Sequence, residues 1–172
     1  MASYTPTLGA LLNARDGFAA PERAVVKILL ASVPFSCHWS RLYHAIDEVT
    51  EIKGVVPAGS LIPLPLDCDP DVGTEVNVGA EEVLSKIPSA NILHLASHGF
   101  QNRTDPLQSG FAMRDRMLTV SDLMALNLPK AFLAFLSACE TAMGDEKQPD
   151  QAVHLAATML FAGFRSVVGT MW

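Results

Sequence analysis

Five apolar runs divide the chain into strand-like segments. They are residues 24–33 (AVVKILLASV), 61–66 (LIPLPL), 91–96 (NILHLA), 131–136 (AFLAFL) and 166–171 (SVVGTM). Short continuous apolar runs are typical of strands that are covered on both faces. The second run contains two prolines, which donate no ladder hydrogen bond, so it predicts an edge strand.

Helical patterns lie between these runs. Trp39, Leu42, Ile46 and Val49 recur at spacings of three and four, which predicts one apolar helix face. Further helices are predicted at residues 81–87, at 119–126 behind a capping box of Thr119 and Asp122, and at 150–161 with Gly163 at the exit. Residues 110–118 are expected to form a hairpin. Strands that alternate with helices indicate an α/β three-layer sandwich with a mainly parallel sheet.

Composition narrows the function classes. The 172 residues are 49% hydrophobic and 17% charged, which fits one domain with a large core. The net charge of −6, without a cluster of basic residues, argues against nucleic acid as a partner. The apolar runs are too short to cross a membrane. Three widely spaced cysteines argue against a disulfide framework and suit a reducing cytoplasm.

The organisation of the chain is expected to be simple. Residues 1–22 form a lead-in segment without the pattern of a signal peptide, and residues 23–172 form one domain. Because Trp172 directly follows an apolar strand, we expect this domain to be incomplete at its C-terminus. P-loop, dinucleotide-binding and zinc motifs are absent, so no cofactor or metal is expected.

One thiol and one imidazole stand out as candidates for chemistry. His98 follows the third apolar run and Cys139 follows the fourth. Catalytic groups of parallel sheets gather beyond the carboxyl ends of the strands, and consecutive strands are often neighbours. A thiolate at Cys139 would attack a carbonyl carbon, and His98 would move the protons. The amides of Gly99 and Cys139 are candidates for an oxyanion hole.

Competing interpretations remain open for these residues. A free cysteine after an apolar strand is often only a small buried hydrophobe, and a histidine at a strand end is often structural. His94 is expected on the same side of its strand as His98, but it lies inside the apolar run and reads as a core histidine. Cys37 and Cys68 have no convincing partner, and the acidic loop at residues 67–78 reads as solvated.

Several segments together resemble the CHAT domain, a family of the caspase-like cysteine peptidase clan. They are SYTPTLGALL at 3–12, HLASHG at 94–99, SGFAM at 109–113, LTVSDLMALNL at 118–128, LSACETAMG at 136–144 and AGFRSVVGTMW at 162–172. The resemblance covers nearly the whole chain. It implies a caspase-like fold, a cysteine endopeptidase with His98 as base and Cys139 as nucleophile, and protein or peptide substrates. It also implies frequent fusion to helical repeats such as TPR arrays.

Two alternatives accompany this interpretation. One is an unrelated α/β binding domain such as a flavodoxin-like receiver, which Val33, Pro34 and Phe35 disfavour because they supply neither a phosphate loop nor an acidic cluster at the end of the first run. Caspase-like domains also act as catalytically silent scaffolds in larger signalling proteins, because a fold does not fix a function. Relatives that cleave after basic residues often carry an acidic residue two positions before the cysteine, where this chain has Ser137. The substrate preference therefore does not follow from the resemblance.

Overall fold

The computed structural model describes residues 21–22, 24–36, 38–64, 78–102, 104–137 and 151–169, with the side chains of 151–154 left out. Its main sheet contains β1 (Ile28–Ser32), β2 (Ile92–Ala96), β6 (Leu133–Leu136) and β7 (Ser166–Gly169). The order is β1-β2-β6-β7 and every pair is parallel. Four of the five apolar runs therefore form the predicted parallel sheet, each within the limits of its run.

A small antiparallel sheet follows β2 in the sequence. It consists of β3 (Gly99–Phe100), β4 (Gly110–Ala112) and β5 (Met117–Thr119), paired in that order. The predicted hairpin is confirmed, and β3 adds a third strand to it. Gly110 is required there, since a Cβ at this position would overlap the backbone carbonyl of Leu118.

Four α-helices connect the described strands. They are α1 (Tyr43–Val55), α2 (Ala80–Lys86), α3 (Val120–Met124) and α4 (Gln151–Ala162). The predicted capping box opens α3: the Asp122 amide donates to Thr119 Oγ1 at 3.1 Å, and the Thr119 amide donates to Asp122 Oδ2 at 2.9 Å. Gly163 follows α4 with a φ of 118°, a left-handed conformation that favours glycine.

The two faces of the main sheet differ in what covers them. On one face Leu93, Leu95, Ala134 and Leu136 belong to a single apolar cluster. That cluster also takes in buried residues of α2, α3, α4 and the small sheet: Val83, Leu123, Met159 and Phe111. On the other face lies α1, which buries Ala45 and Val49. Helices on both faces confirm the α/β sandwich.

Two predictions about elements are wrong. Among the described residues 61–64, the second apolar run makes only one parallel bridge, between Leu61 and Ile28, rather than an edge strand. Pro63 has no N–H with which to extend the ladder. Trp39 does not lie on the face of α1, because that helix begins only at Tyr43.

Candidate functional site

The carboxyl ends of β2 and β6 lie side by side, as predicted. The register pairs His94 with Phe135 and Leu95 with Leu136. The amide of Ser137 donates to the carbonyl of Leu95 at 2.9 Å, which extends the pairing one residue beyond β6. The segments that continue to His98 and Cys139 therefore leave the sheet at the same edge. Cys139 itself lies outside the described residues, so its pairing with His98 stays a prediction.

His98 is buried and tightly held, with 2% of its surface exposed. Its Nε2 lies 2.6 Å from the carbonyl oxygen of Ser40. Its ring stacks on Trp39 with the centroids 5.1 Å apart and the planes 20° apart. Because a carbonyl oxygen only accepts, Nε2 must carry the proton of this hydrogen bond. In the neutral imidazole, Nδ1 is then the nitrogen with the lone pair, which is the atom a general base uses.

The loop between β1 and α1 supplies Trp39 and Ser40, which contact the ring of His98. The amide of Leu42 donates to the Pro34 carbonyl at 2.8 Å, which closes the loop against the end of β1. Ser36 Oγ donates to the carbonyl of Met113 at 3.0 Å, which ties the loop to the small sheet. Trp39 and Ser40 are thereby fixed above the strand end. The spacing of Trp39 predicted a helix face, and nothing in the sequence signalled its contact with His98.

The backbone around Gly99 follows from the pairing of β3 with β4. Gly99 lies opposite Phe111, and the amide of Ala112 donates to the His98 carbonyl at 2.7 Å. Hydrogen-bonded and non-hydrogen-bonded pairs alternate along antiparallel strands. The pair of Gly99 and Phe111 is therefore non-hydrogen-bonded, which directs the Gly99 N–H away from β4. This direction is compatible with the predicted role in an oxyanion hole.

A second polar group lies on the α1 face of the sheet. Ser137 Oγ donates to Glu48 Oε2 at 2.7 Å, and His94 Nε2 lies 3.3 Å from Glu48 Oε1. His94 is buried, as its position in an apolar run predicted, and its ring stacks on Phe135. Burial lowers the pKa of His94 below its ordinary value, and the Glu48 carboxylate offsets part of this effect. Sequence reasoning missed Glu48, which has the appearance of a solvated helix residue.

The remaining candidates divide into two groups. Cys37, Cys68 and most of the predicted acidic loop lie outside the described residues, and the side chain of His154 is not described. His38 and His44 are exposed. Within the described ranges, no three His, Cys, Asp or Glu side chains gather as a metal site would require. No helix in the part of the chain that the structure describes is long and apolar enough to span a membrane.

Two comparisons with known proteins bear on the family of this chain. A search of curated proteins finds no match to the chain. The family model described as the CHAT domain matches residues 2–172, which include His98, Gly99 and Cys139. The parallel sheet with helices on both faces is that of a caspase-like module. The chain belongs to the CHAT domain family.

Proposed function

We propose that this protein is a cysteine endopeptidase that cleaves protein or peptide substrates with Cys139 as nucleophile and His98 as base. The observation that carries the proposal is the hydrogen bond from His98 Nε2 to the Ser40 carbonyl. It selects the tautomer whose Nδ1 accepts a proton, at the end of the strand next to the one that leads to Cys139.

The reaction would proceed in two steps. His98 Nδ1 takes the proton of the Cys139 thiol, the thiolate attacks the scissile carbonyl carbon, and the amides of Gly99 and Cys139 stabilise the oxyanion, each by about 3–4 kcal/mol. The C–N bond breaks, the leaving amine takes a proton from His98, and a thioester remains on Cys139. Water then attacks the thioester and gives its proton to His98 Nδ1, which releases the new carboxylic acid and the free thiol.

The surroundings of His98 suit this role. Stacking on Trp39 and the bond to Ser40 leave the imidazole little rotational freedom, so its lone pair has a fixed direction. The nucleophile must stay a free thiol, which favours a reducing compartment such as the cytoplasm. Helical-repeat regions of a longer chain are the partners that the family resemblance favours.

The test is cleavage of a diverse peptide library by the wild type, Cys139→Ala, His98→Ala and Cys68→Ala. We expect Cys139→Ala and His98→Ala each to lower kcat/KM by about 10³-fold or more, because neither step proceeds without the nucleophile or the base. Cys68→Ala serves as the matched thiol control and should cleave like the wild type. Undiminished cleavage by Cys139→Ala would contradict the proposal. A wild type that cleaves nothing would favour the silent scaffold instead.

A further inference from the structure

The carboxylate of Glu48 lies beside the two strands that lead to the candidate dyad. One oxygen of Glu48 accepts the hydrogen bond from Ser137 Oγ at 2.7 Å, and the other lies 3.3 Å from His94 Nε2. Glu48 belongs to α1, His94 to β2, and Ser137 directly follows β6. The carboxylate therefore lies where three elements that are far apart in the sequence meet, and it accepts a hydrogen bond from Ser137.

The Glu48 carboxylate is partly withdrawn from water. The side chain of Glu48 is only 31% exposed and that of His94 only 7%. Taking a carboxylate out of water is unfavourable unless charge-assisted hydrogen bonds replace its hydration. An apolar residue at position 48 would cover the sheet without this cost. The carboxylate thus supplies something other than apolar packing.

The hydrogen bond between Glu48 and Ser137 indicates that the carboxylate holds the end of β6 in place. Ser137 is the last residue before the undescribed segment that begins at position 138, and it stands two positions before Cys139. Its amide is fixed by the Leu95 carbonyl at 2.9 Å and its hydroxyl by Glu48 at 2.7 Å. Backbone and side chain are therefore both held where the chain leaves β6. His94, which lies beside the same carboxylate, is on β2, four residues before His98.

We propose that Glu48 is a positioning residue for the nucleophile. It fixes the exit of β6 through the hydrogen bond from Ser137, and His94 of the neighbouring strand lies against the same carboxylate without hydrogen-bonding it. The position of Ser137, two residues before Cys139, is thereby fixed relative to β2, the strand that precedes His98. This inference rests on the proposed peptidase function, and Glu48 itself contacts neither the substrate nor the reacting atoms.

The test compares Ser137→Ala, Glu48→Gln and the double variant in the full 172-residue chain. Steady-state cleavage of the best library peptide is measured, together with the rate at which iodoacetamide alkylates Cys139, followed by mass spectrometry. We expect each single variant to lower kcat about tenfold with little change in KM, since misplacement of a reacting group affects the chemical step. The double variant should be no slower than the slower single variant, because both changes break one link.

Two controls separate positioning from a general structural effect. Glu51→Gln removes the same charge from the exposed side of α1 and should leave kcat unchanged. Ser137→Thr keeps the hydroxyl and should restore most of the lost rate. Wild-type kcat in both single variants, or losses that multiply in the double variant, would overturn the inference.

The alkylation rate of Cys139 tests this inference independently of the proposed peptidase function. If the wild type cleaves no peptide, the peptidase proposal fails, but the reactivity of Cys139 still reports its position. A change of threefold or more in the alkylation rate of Ser137→Ala and Glu48→Gln, with none in Glu51→Gln, would then support positioning. Equal rates in all four proteins would overturn it.

Discussion

The two faces of the main sheet are built from the same strands but with different chemistry. One face of the sheet is covered by α2, α3 and α4. On this face, strands β2 and β6 present Leu93, Leu95, Ala134 and Leu136, which belong to one apolar cluster. Toward α1, the same strands present His94 and Phe135, and Ser137 follows at the edge. Alternation along a strand makes this division possible, because neighbouring residues point to opposite faces.

The difference indicates a division of labour. Apolar burial is the main favourable term in folding, so the first face should account for most of the stability. The α1 face exchanges part of that burial for directed hydrogen bonds at the edge where His98 and the approach to Cys139 lie. Substitutions on the apolar face should therefore affect folding first, and substitutions on the α1 face should affect alignment and response to pH.

The largest effect is expected from the apolar face. Leu95→Ala removes a fully buried side chain and should lower the free energy of unfolding by about 2–5 kcal/mol. Leu133→Ala makes the same chemical change on a strand residue that is only partly buried, so its loss should be clearly smaller. Urea denaturation of both variants measures the difference. Equal losses would contradict the assignment of the main core to this face.

A glycine of the small sheet should produce the next largest effect. Gly110→Ala places a Cβ against the Leu118 carbonyl, and such overpacking should reduce stability by about 1–3 kcal/mol. Gly54→Ala, in α1, meets no atom within 4 Å and should instead stabilise the helix by about 0.5–1 kcal/mol. Thermal melts of the two variants should shift in opposite directions. A stabilised Gly110→Ala would show that the strands do not approach this closely.

His94, on the α1 face, should make the stability of the protein depend on pH. The folded pKa of His94 lies below its unfolded value, because burial disfavours the charged ring more than Glu48 favours it. Between these two pKa values the unfolded chain binds more protons, so stability is lost as the pH falls below about 6.5. His94→Gln should weaken this loss. Denaturation at pH 7.5 and pH 5.5 tests it, and an identical loss in both proteins would count against the role of His94.

The smallest effect is expected at the protein surface, away from both faces. Arg116 bonds Asp122 Oδ2 at 2.7 Å and Glu81 Oε1 at 2.5 Å, and these bonds raise its pKa. Exposed ion pairs contribute only about 0–1 kcal/mol each and are screened by salt. Arg116→Gln should therefore lower the free energy of unfolding only slightly, and the difference from the wild type should be smaller still in 1 M NaCl. A loss comparable to that of Leu95→Ala would contradict this view.

Local signals made much of the fold predictable from the sequence. The apolar runs predicted the parallel strands, and the spacing of Thr119 and Asp122 predicted a capping box whose two hydrogen bonds are both present. Gly163 likewise marks the end of α4 through its left-handed backbone. These features depend on residues a few positions apart, so the sequence displays them directly.

Contacts between distant segments were not predictable in this way. Ser40 and His98 are 58 positions apart, and Glu48 and Ser137 are 89 apart. Trp39 fitted a helical spacing yet stacks on His98, because tertiary contact overrides local periodicity. Position 137 itself gave no hint that an acidic side chain from α1 contacts it. The strand ends could be predicted, but not the residues that surround them.

Trapping a covalent intermediate on Cys139 would distinguish a cysteine peptidase from a silent scaffold. A reactive peptide ester is mixed with the protein and the reaction is quenched in acid. The protein is then digested, and mass spectrometry identifies the cysteine that carries the acyl group. We expect an acyl group on Cys139 in the wild type and in Cys68→Ala, and none in Cys139→Ala. Acylation confined to Cys68, or ester turnover that persists in Cys139→Ala, would contradict it.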